Sequence, residues 1–66
     1  MNITINGEPV VLMDRCTVQH LLEQRGLGQS PCAVEVNRQV VPKKKHEDHR
    51  LAEGDRVEIV TLVGGG

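Results

Sequence analysis

None of the 66 residues is a phenylalanine, tryptophan or tyrosine, so any core this chain forms must be built from Val, Leu, Ile and Met. An aromatic ring brings more burial per residue than these side chains do. A chain this short also buries a smaller share of its surface than a larger domain. One domain of modest stability is therefore the most the length allows. With 38% hydrophobic and 26% charged residues, the composition is ordinary for a globular protein and unlike a disordered or fibrous chain, so a packed core is expected.

Electrostatics and punctuation exclude several function classes. A net charge of −1 gives no broad attraction to phosphate backbones or anionic lipids, and nucleic acid is not an expected partner. Cys16 and Cys32 are too few for the disulfide framework of a small secreted domain. The N-terminus lacks the basic and apolar segments of a signal peptide. Val10-Val11-Leu12-Met13, the longest apolar stretch, is far shorter than a membrane span. No membrane association is expected, and the expected location is the cytoplasm.

Ile3 and Ile5 alternate with Asn2 and Thr4, and Asn6-Gly7 is a tight-turn signal, so a first hairpin returns through Val10 to Leu12. Thr17 is a good N-cap. After it Val18, Leu21 and Leu22 fall at helical spacing as a buried stripe until Gly26 stops the run, with Gln19, Glu23 and Gln24 on the wet side. Val34 and Val36 in Ala33 to Asn37 mark a half-buried strand, and Val40-Val41 a brief one that Pro42 ends. Lys43 to Arg50 reads as a polar loop. Arg56 to Leu62 is the longest β-branched alternating run and belongs in the middle of a sheet. One principal helix over a mixed sheet of four to five strands is the order of an α+β, β-grasp domain, predicted over residues 1–63. Gly64-Gly65-Gly66 is predicted to be a flexible tail.

That tail holds no side chain, so any chemistry there must use the backbone or the carboxylate of Gly66. A frayed end would explain it equally simply. Glycine, however, has the most conformational entropy to lose on ordering, and three in a row are costly unless a partner needs narrowness. An enzyme that activates a carboxylate supplies that need, because the terminus must thread a channel to meet ATP and a sulfur nucleophile. A chain end at the second of two glycines would need no proteolytic trimming.

The sequence resembles the ThiS family, the sulfur carriers of thiamine thiazole synthesis, along nearly its whole length. The resemblance rests on Asn6 in the first turn, Thr17-Val18 with Leu21-Leu22, Val34-Glu35-Val36-Asn37 with Val41-Pro42, Leu51, Gly54-Asp55 with Val57-Glu58-Ile59, and Gly65-Gly66. It implies a ubiquitin-like β-grasp fold and a protein co-substrate rather than an enzyme, with no catalytic side chain and no bound cofactor. An E1-like adenylyltransferase would consume ATP to adenylate Gly66, with Gly64 and Gly65 recognised in its channel. A persulfide donor would then give a C-terminal thiocarboxylate, and thiazole synthase would receive the sulfur. The family often carries an aromatic residue shortly after the Val-Pro step, and His46 aligns with it here. The small subunit of molybdopterin synthase, another pathway's sulfur carrier and a ubiquitin-like modifier share the tail. A plain interaction domain with an inert tail is the alternative of a different class.

Other residues are weighed on their own chemistry. Cys16 and Cys32 lack Cys-x-x-Cys spacing and read as small hydrophobes rather than a redox pair, Cys16 packing on Leu21 as a hydrophobic staple. His46 and His49 are two ligands where structural zinc takes four, so a solvated loop is the preferred reading and no metal is expected. Lys43-Lys44-Lys45 is followed at once by Glu47 and Asp48, which favours solubility over phosphate contact. Alternation turns Val57, Ile59 and Thr61 towards the helix and leaves Val60 and Leu62, continued by Val63, on the opposite face. That face is either a partner-binding surface or the underside of a loop.

Overall fold

Asn6 and Gly7 reverse the chain within two residues, at φ +50° and +85°. Positive φ at both positions is the requirement of a primed hairpin turn, and Asn and Gly tolerate it best. β1 (Asn2–Ile5) and β2 (Glu8–Val11) pair antiparallel as a result, with Ile5 opposite Glu8. The structure is a computed structural model describing residues 1–62. Val63, the Gly64–Gly66 tail and the boundary expected between them lie outside the described residues.

α1 (Val18–Gln24) begins where Thr17 caps it. The Thr17 hydroxyl accepts from the His20 N–H at 3.1 Å, and His20 Nδ1 accepts from the Thr17 N–H at 3.2 Å. This is a capping box with histidine in the place usually held by Glu or Gln. At the other end Gly26 takes φ +73°. The Leu27 N–H reaches the Leu22 carbonyl at 2.7 Å and the Gly26 N–H reaches the Glu23 carbonyl at 3.1 Å, the pair of bonds that defines a Schellman ending.

β3 (Cys32–Val36), β4 (Gln39–Val41) and β5 (Arg56–Thr61) complete one five-stranded sheet in the order β2-β1-β5-β3-β4. β1 and β5 are parallel, and the remaining pairs are antiparallel. β5 sits in the middle, as its β-branched run predicts. Val18, Leu21 and Leu22 of the helix share one core with Ile3, Ile5, Val34, Val36, Val41, Val57 and Ile59 of the sheet, closed by Leu12, Cys16 and Leu51 from the connections. Thr61 departs from expectation. It follows Ile59 in the inward register but is exposed.

The segment from Lys43 to Arg50 is not the solvated loop its composition implies. Lys43–Lys45 form a 3-10 turn, and His46 is only 3% exposed, with Nε2 2.9 Å from the Val41 carbonyl. The imidazole is amphipathic, so its ring fills apolar space while one nitrogen satisfies a strand carbonyl at the sheet's edge. The same segment also completes the helix. The Val18 and Gln19 N–H groups, which have no intrahelical acceptor, donate to the carbonyls of His49 and His46, both at 2.9 Å.

Leu21 is 1% exposed on the helix face at the centre of this core. Replacing it with Ala is expected to lower the unfolding free energy by about 2–5 kcal/mol, a large share of a small domain's stability. Urea denaturation checks this, and a loss under about 0.5 kcal/mol would place Leu21 outside the core.

Candidate functional site

β5 is the last strand of the described residues, and two turn residues fix its place in the sheet. β1 pairs with β5 only through Thr4 opposite Arg56 and Ile5 opposite Val57. Beyond that point the Asn6 side chain takes over as a strand partner. Its Nδ2 donates to the Ile59 carbonyl at 3.2 Å and its Oδ1 accepts the Ile59 N–H at 2.9 Å. A side-chain amide carries the same donor and acceptor as a peptide group, so it extends the ladder by one step. Asn37, in the turn between β3 and β4, holds the other end of β5: its Oδ1 accepts the Arg56 N–H at 3.0 Å and its Nδ2 donates to Asp55 at 2.9 Å. On the far side β3 accompanies β5 until Cys32 lies opposite Thr61, and the Leu62 N–H donates to the Pro31 carbonyl at 2.9 Å.

Of the residues singled out from the sequence, Val60 and Leu62 lie at the root of the tail. They are 58% and 53% exposed, so no loop of the described residues covers them. Val63, Gly64, Gly65 and Gly66 lie outside the described residues. Asn6 stands out in the sequence only as a turn residue. Its hold on Ile59 spans 53 positions, which no local pattern announces.

The remaining candidates separate. Cys16 and Cys32 are both free thiols. Cys16 is 4% exposed, with Leu21 in the same core, and burial pushes its thiol pKa above the ordinary value. Cys32 is half-buried at the start of β3. His46 is committed to Val41, whereas His49 is half-buried and lines an open depression beside β4 with Val36, Lys45 and Asp48. Among the described residues no three His, Cys, Asp or Glu side chains are grouped to hold a metal ion. Lys43, Lys44 and Lys45 are exposed. No helix of the described residues is long and apolar enough to cross a membrane.

Comparison with known proteins places this architecture. The family model described as "ThiS family" matches residues 2–66. The chain belongs to the ThiS family. It is 30% identical to sulfur carrier protein ThiS of Escherichia coli over 66 residues, all of both chains. The crystal structure of a thiamine biosynthesis protein (ThiS) from Geobacter metallireducens superposes with a TM-score of 0.84 at 30% identity, again over all of both chains. A third relative, thiazole synthase of Paramagnetospirillum magneticum, is 38% identical over all 66 residues, yet this chain spans only 20% of that protein's length. The ThiS solved structure bears out the ubiquitin-like β-grasp with one principal helix.

Three expectations follow for this ThiS-family chain. Val60→Ser and Leu62→Ser should each change stability by no more than about 0.5 kcal/mol in thermal or urea unfolding, as exposed substitutions do; loss of folding would mark either residue as core. The thiols should differ. The raised pKa of Cys16 keeps it protonated in the folded state through the pH range where an unfolded cysteine begins to ionise, and burial shields it. Cys32 should therefore take up iodoacetamide in the native protein and Cys16 only on unfolding, read by peptide mass. The same shift makes stability fall as pH rises through the ordinary thiol pKa towards the raised one, and a melting temperature that rises with pH across that window would contradict it.

Proposed function

We propose that this chain carries sulfur on the carboxylate of Gly66 for thiazole formation. As a ThiS-family member it is a sulfur carrier of thiamine biosynthesis, a protein co-substrate rather than a catalyst. In the proposed cycle an E1-like adenylyltransferase brings the Gly66 carboxylate to the α-phosphorus of ATP, releasing pyrophosphate and leaving an acyl adenylate. The terminal sulfur of a persulfide displaces AMP, and a second thiol cleaves the resulting acyl disulfide. The thiocarboxylate is then the sulfur donor to thiazole synthase. ATP is consumed by the activating partner and no cofactor is held by the carrier.

The observation that carries this reading is the full-length family match through Gly66, read with a tail in which only a terminal carboxylate can react. Val60 and Leu62 support it as the docking surface, since they are exposed apolar residues on the strand that leads into the tail. The expected role of Gly64 and Gly65 is to let the backbone pass a narrow channel. Thiazole synthase is supported as the acceptor by relatives in which a stretch similar to this whole chain forms one fifth of the thiazole synthase protein.

Deleting Gly66, or appending one alanine after it, is expected to leave the melting temperature unchanged and to abolish sulfur loading. The carboxylate would be displaced by one residue, up to about 3.6 Å, and an oriented attack does not survive an error of that size. Intact mass after incubation with ATP, a persulfide donor and the adenylyltransferase reads the exchange of one oxygen for sulfur. If the appended-alanine form gains that sulfur as readily as the wild type, the terminal-carboxylate mechanism is wrong.

A further inference from the structure

The sheet face turned away from α1 carries an electrostatic conflict. Val34, Val36, Val57 and Ile59 are buried against the helix, so their strand neighbours Ala33, Glu35, Glu58 and Val60 point to the other face. The register sets Glu35 directly opposite Glu58, with Ala33 opposite Val60 in the next outward row and Val40 beside Glu35 on β4. Directly opposed side chains on one face have Cβ atoms about 4.5–5.5 Å apart, where like charges destabilise the sheet. Among the described residues no cationic nitrogen forms an ion pair with either carboxylate. Among the described residues the one ion pair joins the Met1 amino group to Asp14 at 3.7 Å. Arg56, two positions before Glu58 on the same face, comes within 4.0 Å of neither carboxylate.

The surroundings narrow what relieves it. Val40 is 69% exposed and Val60 58%, with Leu62 continuing the apolar strip along the chain, so apolar side chains flank the carboxylates on the β4 side and towards Val60, while Arg56 lies on the other side of Glu58. A second copy of this chain would bring its own glutamates against them. Two carboxylates alone fall short of the six or more oxygens that a calcium ion takes. A guanidinium fits: it is flat, always charged, offers donors to two carboxylates at once, and its stem packs on apolar neighbours.

We infer that the Glu35–Glu58 pair, flanked by Val40, Ala33 and Val60, is the seat of an arginine on the surface of thiazole synthase. The inference rests on the sulfur-carrier reading and names how its acceptor is recognised. Thiazole synthase is the occupant because the relatives that join such a domain to it in one protein keep the two permanently together. The free carrier holds a repulsion that docking turns into attraction, so part of its stability is given up for partner choice.

Glu35→Gln, Glu58→Gln and the double variant keep shape and remove charge. Each should melt higher than the wild type at low salt, with the difference shrinking as salt screens the pair. Each should bind thiazole synthase from the same cell at least about tenfold more weakly by calorimetry, and Glu58→Arg should be rescued by changing one thiazole synthase arginine to glutamate. Loading of Gly66 with sulfur, followed by intact mass, is measured in parallel. If the wild type binds thiazole synthase and the glutamine variants bind as tightly or more tightly, this inference is overturned while the carrier reading stands. If the wild type loads sulfur but does not bind thiazole synthase, the acceptor and this inference both fall. If Gly66 takes up no sulfur, the terminal-carboxylate mechanism fails independently. Unchanged or lowered melting temperatures for the variants would remove the repulsion on which the argument depends.

Discussion

Everything else in this fold follows from the parallel pairing of its first and last strands. β1 and β5 lie side by side and run the same way, and a parallel pair cannot be joined by a tight turn. The intervening chain therefore has to cross over, and it does so through α1, which lands on one face and seals the core. The contact between the two strands is short, only two residue pairs. Asn6 lengthens it from the side, which explains why an asparagine serves in this turn. Its backbone tolerates positive φ and its amide continues the ladder.

What the sequence makes legible is what repeats locally. Val18, Leu21 and Leu22 show the helical period, Thr17 and Gly26 mark its ends, and the run from Arg56 to Leu62 shows a strand with one buried side. His46 is illegible by the same logic. It sits among lysines, an aspartate and a glutamate, and nothing nearby in sequence reveals that its ring turns inward to the Val41 carbonyl. The turn at Asn37-Arg38 is similar: both residues take positive φ, +52° and +69°, although arginine gives no signal of it. The register that opposes Glu35 to Glu58 is also invisible before the strands are paired, because two alternating segments do not state their offset.

The proposed functional end has the opposite character. Gly64–Gly66 is conspicuous in the sequence because glycine removes every alternative to backbone and terminal chemistry. Structure adds the strand that precedes it in the chain: a central strand held by Asn6 on one flank and by Pro31 and Cys32 on the other, with Val60 and Leu62 exposed. A core without benzene rings supports this because most of its members are short branched side chains that fit a thin space between one helix and one sheet. His46 supplies the single ring there.

The carbonyls of His46 and His49 that receive the first amides of α1 tie two segments into one cooperative unit. Neither the helix start nor the 43–50 segment can open alone without stranding hydrogen-bonding groups, so in hydrogen exchange the Val18 and Gln19 amides would report the opening of a distant stretch of chain. A lengthened or shortened stretch between Pro42 and Leu51 is then a change to the helix as much as to the loop. Variation there has to keep two carbonyls in place, however freely its exposed side chains are exchanged.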